Sequence, residues 1–212
     1  MTTTTLAVVT AAFMLADWWA TWTGRRAVRT VTKPAALLLL TLVAVLLEPF
    51  DPTIRTWMVV GLSFSLLGDV SLLGDGKASF VGGLTAFLLG HVAYVIAMQQ
   101  APRSVPWTVV GVVVVAVAVA TVGRRIVASV AETGEPGLTP AVIAYLVVIS
   151  VMVVSAFGTA APWAIVGASL FYVSDATLAW NRFVGERRFG PVAVMVTYHL
   201  AQAGLVAWLL TG

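Results

Sequence analysis

Cysteine is absent from this 212-residue sequence, and charged residues make up only 10% of it. The lack of cysteine excludes a disulfide framework, a thiolate nucleophile and a cysteine-ligated metal or haem site. The shortage of charge, beside 60% hydrophobic residues, excludes an ordinary soluble domain, because such a domain needs a polar surface. The lipid bilayer is therefore the expected solvent and partner of this chain.

The net charge of +3 comes from arginines that are gathered between apolar stretches. This pattern is typical of membrane topology rather than of nucleic-acid binding. We therefore interpret the basic residues as orientation signals and expect no nucleic-acid partner.

The sequence contains eight apolar stretches, most of which approach the roughly 20 residues that a helix needs to cross the hydrocarbon core. They cover residues 6–22, 31–47, 54–73, 80–99, 105–122, 138–157, 163–180 and 191–210. The second stretch is short, since Pro34 opens it and Glu48 and Pro49 close it. We predict an all-α polytopic membrane protein whose residues 1–212 form a single transmembrane domain.

The distribution of lysine and arginine supports the second span and predicts the orientation. With eight spans, ten of the 12 basic residues fall at the ends of spans 1, 3, 5 and 7, and only Arg55 and Arg103 fall opposite. This asymmetry obeys the positive-inside rule, with both termini non-cytoplasmic. The first stretch lacks a basic start and contains Asp17 and three tryptophans, so we predict a retained helix rather than a signal peptide.

A weak internal repeat is present. The segments GLSFSLLGDVSLL and GASLFYVSDATLA align without gaps and pair Asp69 with Asp175. A helix with a single histidine follows each segment, at His91 and His199. The repeat predicts two four-helix halves in parallel orientation, since each half has an even number of helices.

Three carboxylates fall inside apolar stretches, namely Asp17, Asp69 and Asp175. Each lies about five to seven residues from the cytoplasmic end of its helix, or roughly 7–11 Å deep. An acid at such a place costs about 2.5–3.5 kcal/mol on insertion scales, so it needs a partner, a cavity or a role. We expect the three to face one cavity, although structural hydrogen bonding remains open, and Asp17 could also reach the interface beside Trp18 and Trp19.

Small residues next to two of these acids predict a close helix contact. Gly68 and Ser174 immediately precede Asp69 and Asp175. Gly61 and Ser65 form a small-xxx-small pair in helix 3, so helices 3 and 7 could approach closely. Asp69 would then lie near Asp175. Because two carboxylates in a poorly solvated site do not readily ionise together, one would keep a proton and act as acid while the other acts as base.

Two further pairs of polar residues share a helix face. His91 and Tyr94 are one turn apart on helix 4, as are His199 and Gln202 on helix 8. Both faces are candidates to line the cavity, with a bond from each histidine to a neighbouring helix as the alternative. No metal-ligand spacing occurs within a helix, so we predict no metal and no cofactor.

Lys33, Asn181 and Arg182 lie at the predicted cytoplasmic rim. They could bind a phosphate or carboxylate headgroup, or contact anionic lipid in general. Helix 5, by contrast, is almost entirely valine and alanine, so we expect it to face lipid.

Several motifs, taken in order, resemble the YhhN/TMEM86 family. They are Lys33-Pro34, GLSFSLLGDVSLL, FVGGLTAFLLGHVAY, GASLFYVSDATLAWNRF and YHLAQ, and they cover most of the chain except helix 1. The resemblance implies a lysoplasmalogenase, which hydrolyses the vinyl ether bond of a lysophospholipid to a fatty aldehyde and a glycerophospho-headgroup. It also fits Asp69 and Asp175 as an acid and base pair around an oxocarbenium ion, as in two-carboxylate glycoside hydrolysis.

Two other classes of function remain open on the sequence. A proton-coupled transporter would use intramembrane acids and histidines, but Gly- or Pro-broken helices at matching places in both halves are not seen. A non-catalytic lipid-binding protein would need the acids only for folding. Short loops and the lack of targeting signals favour a bacterial plasma membrane.

Overall fold

The computed structural model describes residues 2–211, and within that range the chain forms eight helices and no strand. The helices are α1 (Thr3–Trp22), α2 (Arg26–Leu46), α3 (Pro52–Ser71), α4 (Lys77–Gln99), α5 (Val105–Glu132), α6 (Leu138–Gly158), α7 (Pro162–Phe183) and α8 (Gly190–Thr211). The predicted all-α polytopic fold is confirmed.

Six of these helices, α1, α2, α4, α5, α6 and α8, are long and apolar enough to cross a membrane. The doubtful second span is among them. The two helices that fall short, α3 and α7, carry Asp69 and Asp175 together with Arg55 and Arg182. The chain is an integral membrane protein whose least apolar helices hold the candidate acids.

Helix α5 is longer than the sequence pattern predicts. Residues 123–137 were expected to form a loop, but the helix continues through a π-helical segment (Val119–Gly123) to Glu132. Its last turns bury Ile126 and Val130 against the start of α6, with charged residues on the other side. This amphipathic segment is polar on average, which is why hydropathy alone assigns it to a loop.

Glycines bring the helices of each repeated segment close to the helix that follows. A Cβ added at Gly90 of α4 would lie 3.1 Å from the carbonyl oxygen of Gly61 in α3. One added at Gly204 of α8 would lie 3.2 Å from the Cα of Gly167 in α7. The α3–α4 and α7–α8 pairs therefore pack in the same way, through facing glycines.

This packing overturns one prediction about α3. The small residues Gly61 and Ser65 face Tyr94 of α4, with Ser65 Oγ 3.4 Å from the tyrosine oxygen. Ser174 of α7 donates a hydrogen bond to the carbonyl of Val194 in α8 at 3.0 Å. The expected close contact of α3 with α7 is wrong, because the small residues of each helix are used against its neighbour in the chain.

Candidate active site

A polar cavity of about 450 Å³ lies between the ends of α3 and α7 and the starts of α2, α4 and α8. We call it the polar cavity. Its charged lining residues are Arg29, Lys33, Asp69, Asp75, Asp175, Arg182 and Glu186. The cavity thus brings Asp69 and Asp175, from the two repeated segments, to one shared space near the arginine-rich ends of the helices.

Asp69 is fully buried and has two polar partners on other helices. Lys33 Nζ of α2 lies 3.0 Å from its Oδ1, and Tyr198 of α8 donates its hydroxyl to Oδ2 at 2.9 Å. Lys33 was predicted at the rim as a headgroup ligand, but it is only 4% exposed. Because α2 begins at Arg26 rather than at residue 31, Lys33 lies about two turns inside the helix.

Asp175 has a different environment. Tyr145 of α6 donates a hydrogen bond to its Oδ2 at 2.5 Å, and His91 Nε2 lies 3.8 Å from the same oxygen. No lysine or arginine among residues 2–211 pairs with this carboxylate. Sequence reasoning missed Tyr145, and the available signal was a phenol placed alone in one of the most apolar helices.

A second, apolar cavity adjoins Asp175. This apolar groove of about 80 Å³ lies among α4, α5, α6 and α7, and the π-helical segment lines it through Val122 and Gly123. Five residues line both this groove and the polar cavity, and Asp175 is the polar one; the others are Leu72, Phe80, Phe87 and Leu178. Asp175 therefore lies where a charged space meets a hydrocarbon-like one.

The two carboxylates share the polar cavity without bonding to each other in the described part of the chain. Rings fill the space beside them: Phe171 lies 5.4 Å from Tyr198 and 4.6 Å from His91 between ring centroids. Each carboxylate keeps its own donors, so the arrangement is two separate acid environments on one cavity rather than a directly hydrogen-bonded dyad.

The histidine-bearing faces do not line the polar cavity as expected. Tyr94 donates to Gln202 Oε1 at 2.7 Å, and Trp18 Nε1 donates to His199 Nδ1 at 2.9 Å. These contacts link α4 with α8 and α1 with α8. Of the four residues, only His91 lies close to a cavity-lining acid, Asp175, and His91 itself does not line the cavity.

The remaining predicted site residues divide between interior and rim. Asp17 is buried, accepts a hydrogen bond from Thr32 at 3.0 Å and lies outside the polar cavity, so the alternative of an interfacial position is wrong. Asn181 and Arg182 do line the cavity, with the guanidinium of Arg182 3.7 Å over the ring of Phe80. Among residues 2–211, no three His, Asp or Glu side chains converge as a metal site.

Comparison with known proteins finds one matching family and several named relatives. A model of the YhhN family matches residues 28–209. Curated relatives include proteins named lysoplasmalogenase from Mycobacterium bovis and Mycobacterium tuberculosis, each 32% identical over 162 residues, or 74% of this chain. Lysoplasmalogenase TMEM86A of Bos taurus is 28% identical over 151 residues, or 69% of this chain.

The matched region covers 62% of the length of each of these three relatives, so the chain spans less than two thirds of them. No solved structure matches the chain.

Proposed function

We propose that this chain, which belongs to the YhhN family, hydrolyses the vinyl ether bond of lysoplasmalogens to a fatty aldehyde and a glycerophospho-headgroup. The names of its relatives support this reaction. The single observation that carries the proposal is the position of Asp175, which lines both the polar cavity and the apolar groove. A vinyl ether joins the apolar and the polar part of its lipid, and so belongs at such a boundary.

The two cavities match the two parts of a lysophospholipid. The alkenyl tail would enter the apolar groove, and the glycerophospho-headgroup would lie in the polar cavity. The groove has a volume of only about 80 Å³, so only the first part of the tail would lie inside the protein and the rest would extend into the bilayer. This placement puts the double bond beside Asp175 and the glycerol toward Asp69.

We assign Asp175 as the acid and Asp69 as the base. Asp69 has an ammonium group and a hydroxyl donor within 3.0 Å, and both stabilise a carboxylate. Asp175 borders the apolar groove without a lysine or arginine partner, which favours the neutral acid. Tyr145 and His91 would hold the acid in place as positioning residues, because both lie against Oδ2 of Asp175.

The reaction then proceeds in balanced steps. Asp175 donates its proton to the β-carbon of the vinyl ether, which leaves an oxocarbenium ion and a carboxylate. Asp69 takes a proton from the water that attacks the cationic carbon, and a hemiacetal forms. As the hemiacetal breaks down, its hydroxyl proton passes to Asp175 and the proton on Asp69 passes to the leaving glycerol oxygen. Both acids return to their starting states.

The decisive experiment incubates the purified protein with a lysoplasmalogen in D₂O and analyses the fatty aldehyde by mass spectrometry. The mechanism predicts one deuterium at carbon 2 of the aldehyde, since that carbon is the one protonated. Aldehyde added directly to D₂O controls for exchange. Asp69→Asn and Asp175→Asn should each lower kcat by roughly 100-fold or more while remaining folded. Asp51→Asn, a helix N-cap at the other end of α3, is the matched control.

Three results would contradict the proposal in different ways. Full activity in either variant removes that aspartate from the mechanism. Aldehyde without deuterium at carbon 2 excludes β-carbon protonation. If the wild type releases no aldehyde from several lysolipids, the proposed hydrolase activity is wrong. Solute flux in proteoliposomes then becomes the next measurement.

A further inference from the structure

Arg29 is a cation without a partner beside the candidate site. It lies in the first turns of α2, lines the polar cavity and is half-buried. Its guanidinium forms no ion pair with any carboxylate of residues 2–211, and its buried Nε has no hydrogen-bond acceptor there. Its one polar side-chain contact is with the sulfur of Met195, 3.7 Å from Nη2.

The buried carboxylates of the neighbouring helices α1 and α3 form no ion pair with Arg29. Asp69 pairs with Lys33, and Asp17 accepts a hydrogen bond from Thr32. Taking a charge partly out of water is unfavourable unless an opposite charge or hydrogen bonds replace the lost hydration. A guanidinium that lines a cavity and lacks an anion is therefore suited to bind an anionic ligand.

We propose that Arg29 binds the phosphate of the lysophospholipid, an inference that rests on the function proposed above. Arg29 lies one helical turn before Lys33 on α2, so its side chain starts about 5–6 Å from that of the lysine toward the mouth of the cavity. A phosphate held there leaves the glycerol between Arg29 and the ion pair of Lys33 with Asp69. The planar fork of arginine can donate two parallel hydrogen bonds to a phosphate.

The test measures binding rather than turnover, so it does not depend on catalysis. Two saturated ethers that lack the vinyl bond serve as probes, namely 1-O-hexadecylglycerophosphoethanolamine and 1-O-hexadecylglycerol. Dissociation constants are measured in detergent for the wild type, Arg29→Gln and Arg29→Lys. Arg25→Gln is the matched control, since Arg25 stacks over Trp19 at 4.8 Å and lies outside the polar cavity.

The wild type should bind the phosphate-bearing probe at least tenfold more tightly than the glycerol ether. Arg29→Gln should remove that preference, Arg29→Lys should keep part of it, and Arg25→Gln should keep all of it. A wild type without preference, or a preference that survives Arg29→Gln, would overturn the assignment. Equal competition by a two-chain phosphatidylethanolamine would overturn it as well, because Arg29 would then bind bulk lipid. Failure of the aldehyde assay alone would leave this binding result standing.

Discussion

Lys33 of α2 and Asp69 of α3 form an ion pair inside the helix bundle, with Nζ 3.0 Å from Oδ1 and only 5% and 1% of the two side chains exposed. The pair places a fixed positive charge next to one of the two candidate catalytic acids and not beside the other. This difference is the basis on which their roles are assigned.

Removing one member of this pair should destabilise the protein strongly. We expect Lys33→Met to lower the free energy of unfolding by about 3–5 kcal/mol, because it leaves a buried carboxylate without its cation. The double variant Lys33→Met with Asp69→Leu should recover much of that stability and remain inactive. Denaturant titration in detergent measures both. Additive losses in the double variant would show that the two side chains do not interact.

Tyr145→Phe should affect turnover more than substrate affinity. The substitution removes the hydrogen bond to Asp175 and keeps the ring, so we expect kcat to fall roughly tenfold with little change in KM. Tyr94→Phe, which loses a buried hydrogen bond to Gln202, is the matched control and should lower kcat less. Equal losses of kcat in the two variants would point to general packing and not to positioning of Asp175.

A larger side chain in the apolar groove should hinder binding of the lipid tail. Ala176 lines the groove one residue after Asp175, and Ala176→Phe should lower kcat/KM for long-chain lysoplasmalogens by roughly tenfold. Val173→Phe on the exposed side of the same helix is the control, since Val173 is 49% exposed. If Ala176→Phe leaves kcat/KM unchanged across chain lengths, the tail does not occupy this groove.

The lack of cysteine makes the orientation directly measurable. Single cysteines at Gly185, in the α7–α8 loop, and at Glu48, in the α2–α3 loop, lie at opposite ends of the bundle. In intact bacterial cells, a membrane-impermeant maleimide should label Glu48→Cys and not Gly185→Cys, because the positive-inside rule places the arginine-rich ends in the cytoplasm. The reverse labelling would invert the proposed topology.

The contact between Lys77, the first residue of α4, and Glu135 in the α5–α6 loop should respond to pH. The hydrogen bond and charge of Lys77, 2.9 Å away, lower the pKa of the Glu135 carboxyl below its ordinary value. Its contribution to stability is therefore present above the ordinary glutamate pKa of about 4.3 and is lost as the pH falls through the lowered pKa. Melting temperatures of wild type and Glu135→Gln should differ at pH 7 and converge once the pH falls below the lowered pKa of Glu135. A difference that persists at low pH would assign the effect to something other than charge.

Most of the fold could be predicted because the length and hydropathy of a spanning helix can be recognised in the sequence. The exception was the end of α5, where an amphipathic segment at the membrane boundary has the composition of a loop. The error at α2 had a larger consequence. Starting that helix at residue 31 put Lys33 at the rim, whereas the real start at Arg26 puts it inside the bundle.

The candidate site could be predicted only in part. Asp69 and Asp175 stand out because a charge inside an apolar stretch needs an explanation. Tyr145 does not stand out, since a tyrosine is compatible with an apolar helix, and Arg29 was interpreted only as a topology signal. Which residues face each other across the bundle depends on helix rotation, and the weak periodicity of nearly all-apolar helices does not determine that rotation.

The shared boundary at Asp175 also has a consequence for product release. The proposed reaction converts one amphipathic molecule into two products of opposite solubility, an aldehyde that partitions into lipid and a glycerophospho compound that dissolves in water. With a groove on one side of the acid and a polar cavity on the other, the proposed reaction would release each product next to the kind of space that suits it. Neither product would then have to cross the medium in which it is insoluble, so the two could leave in either order.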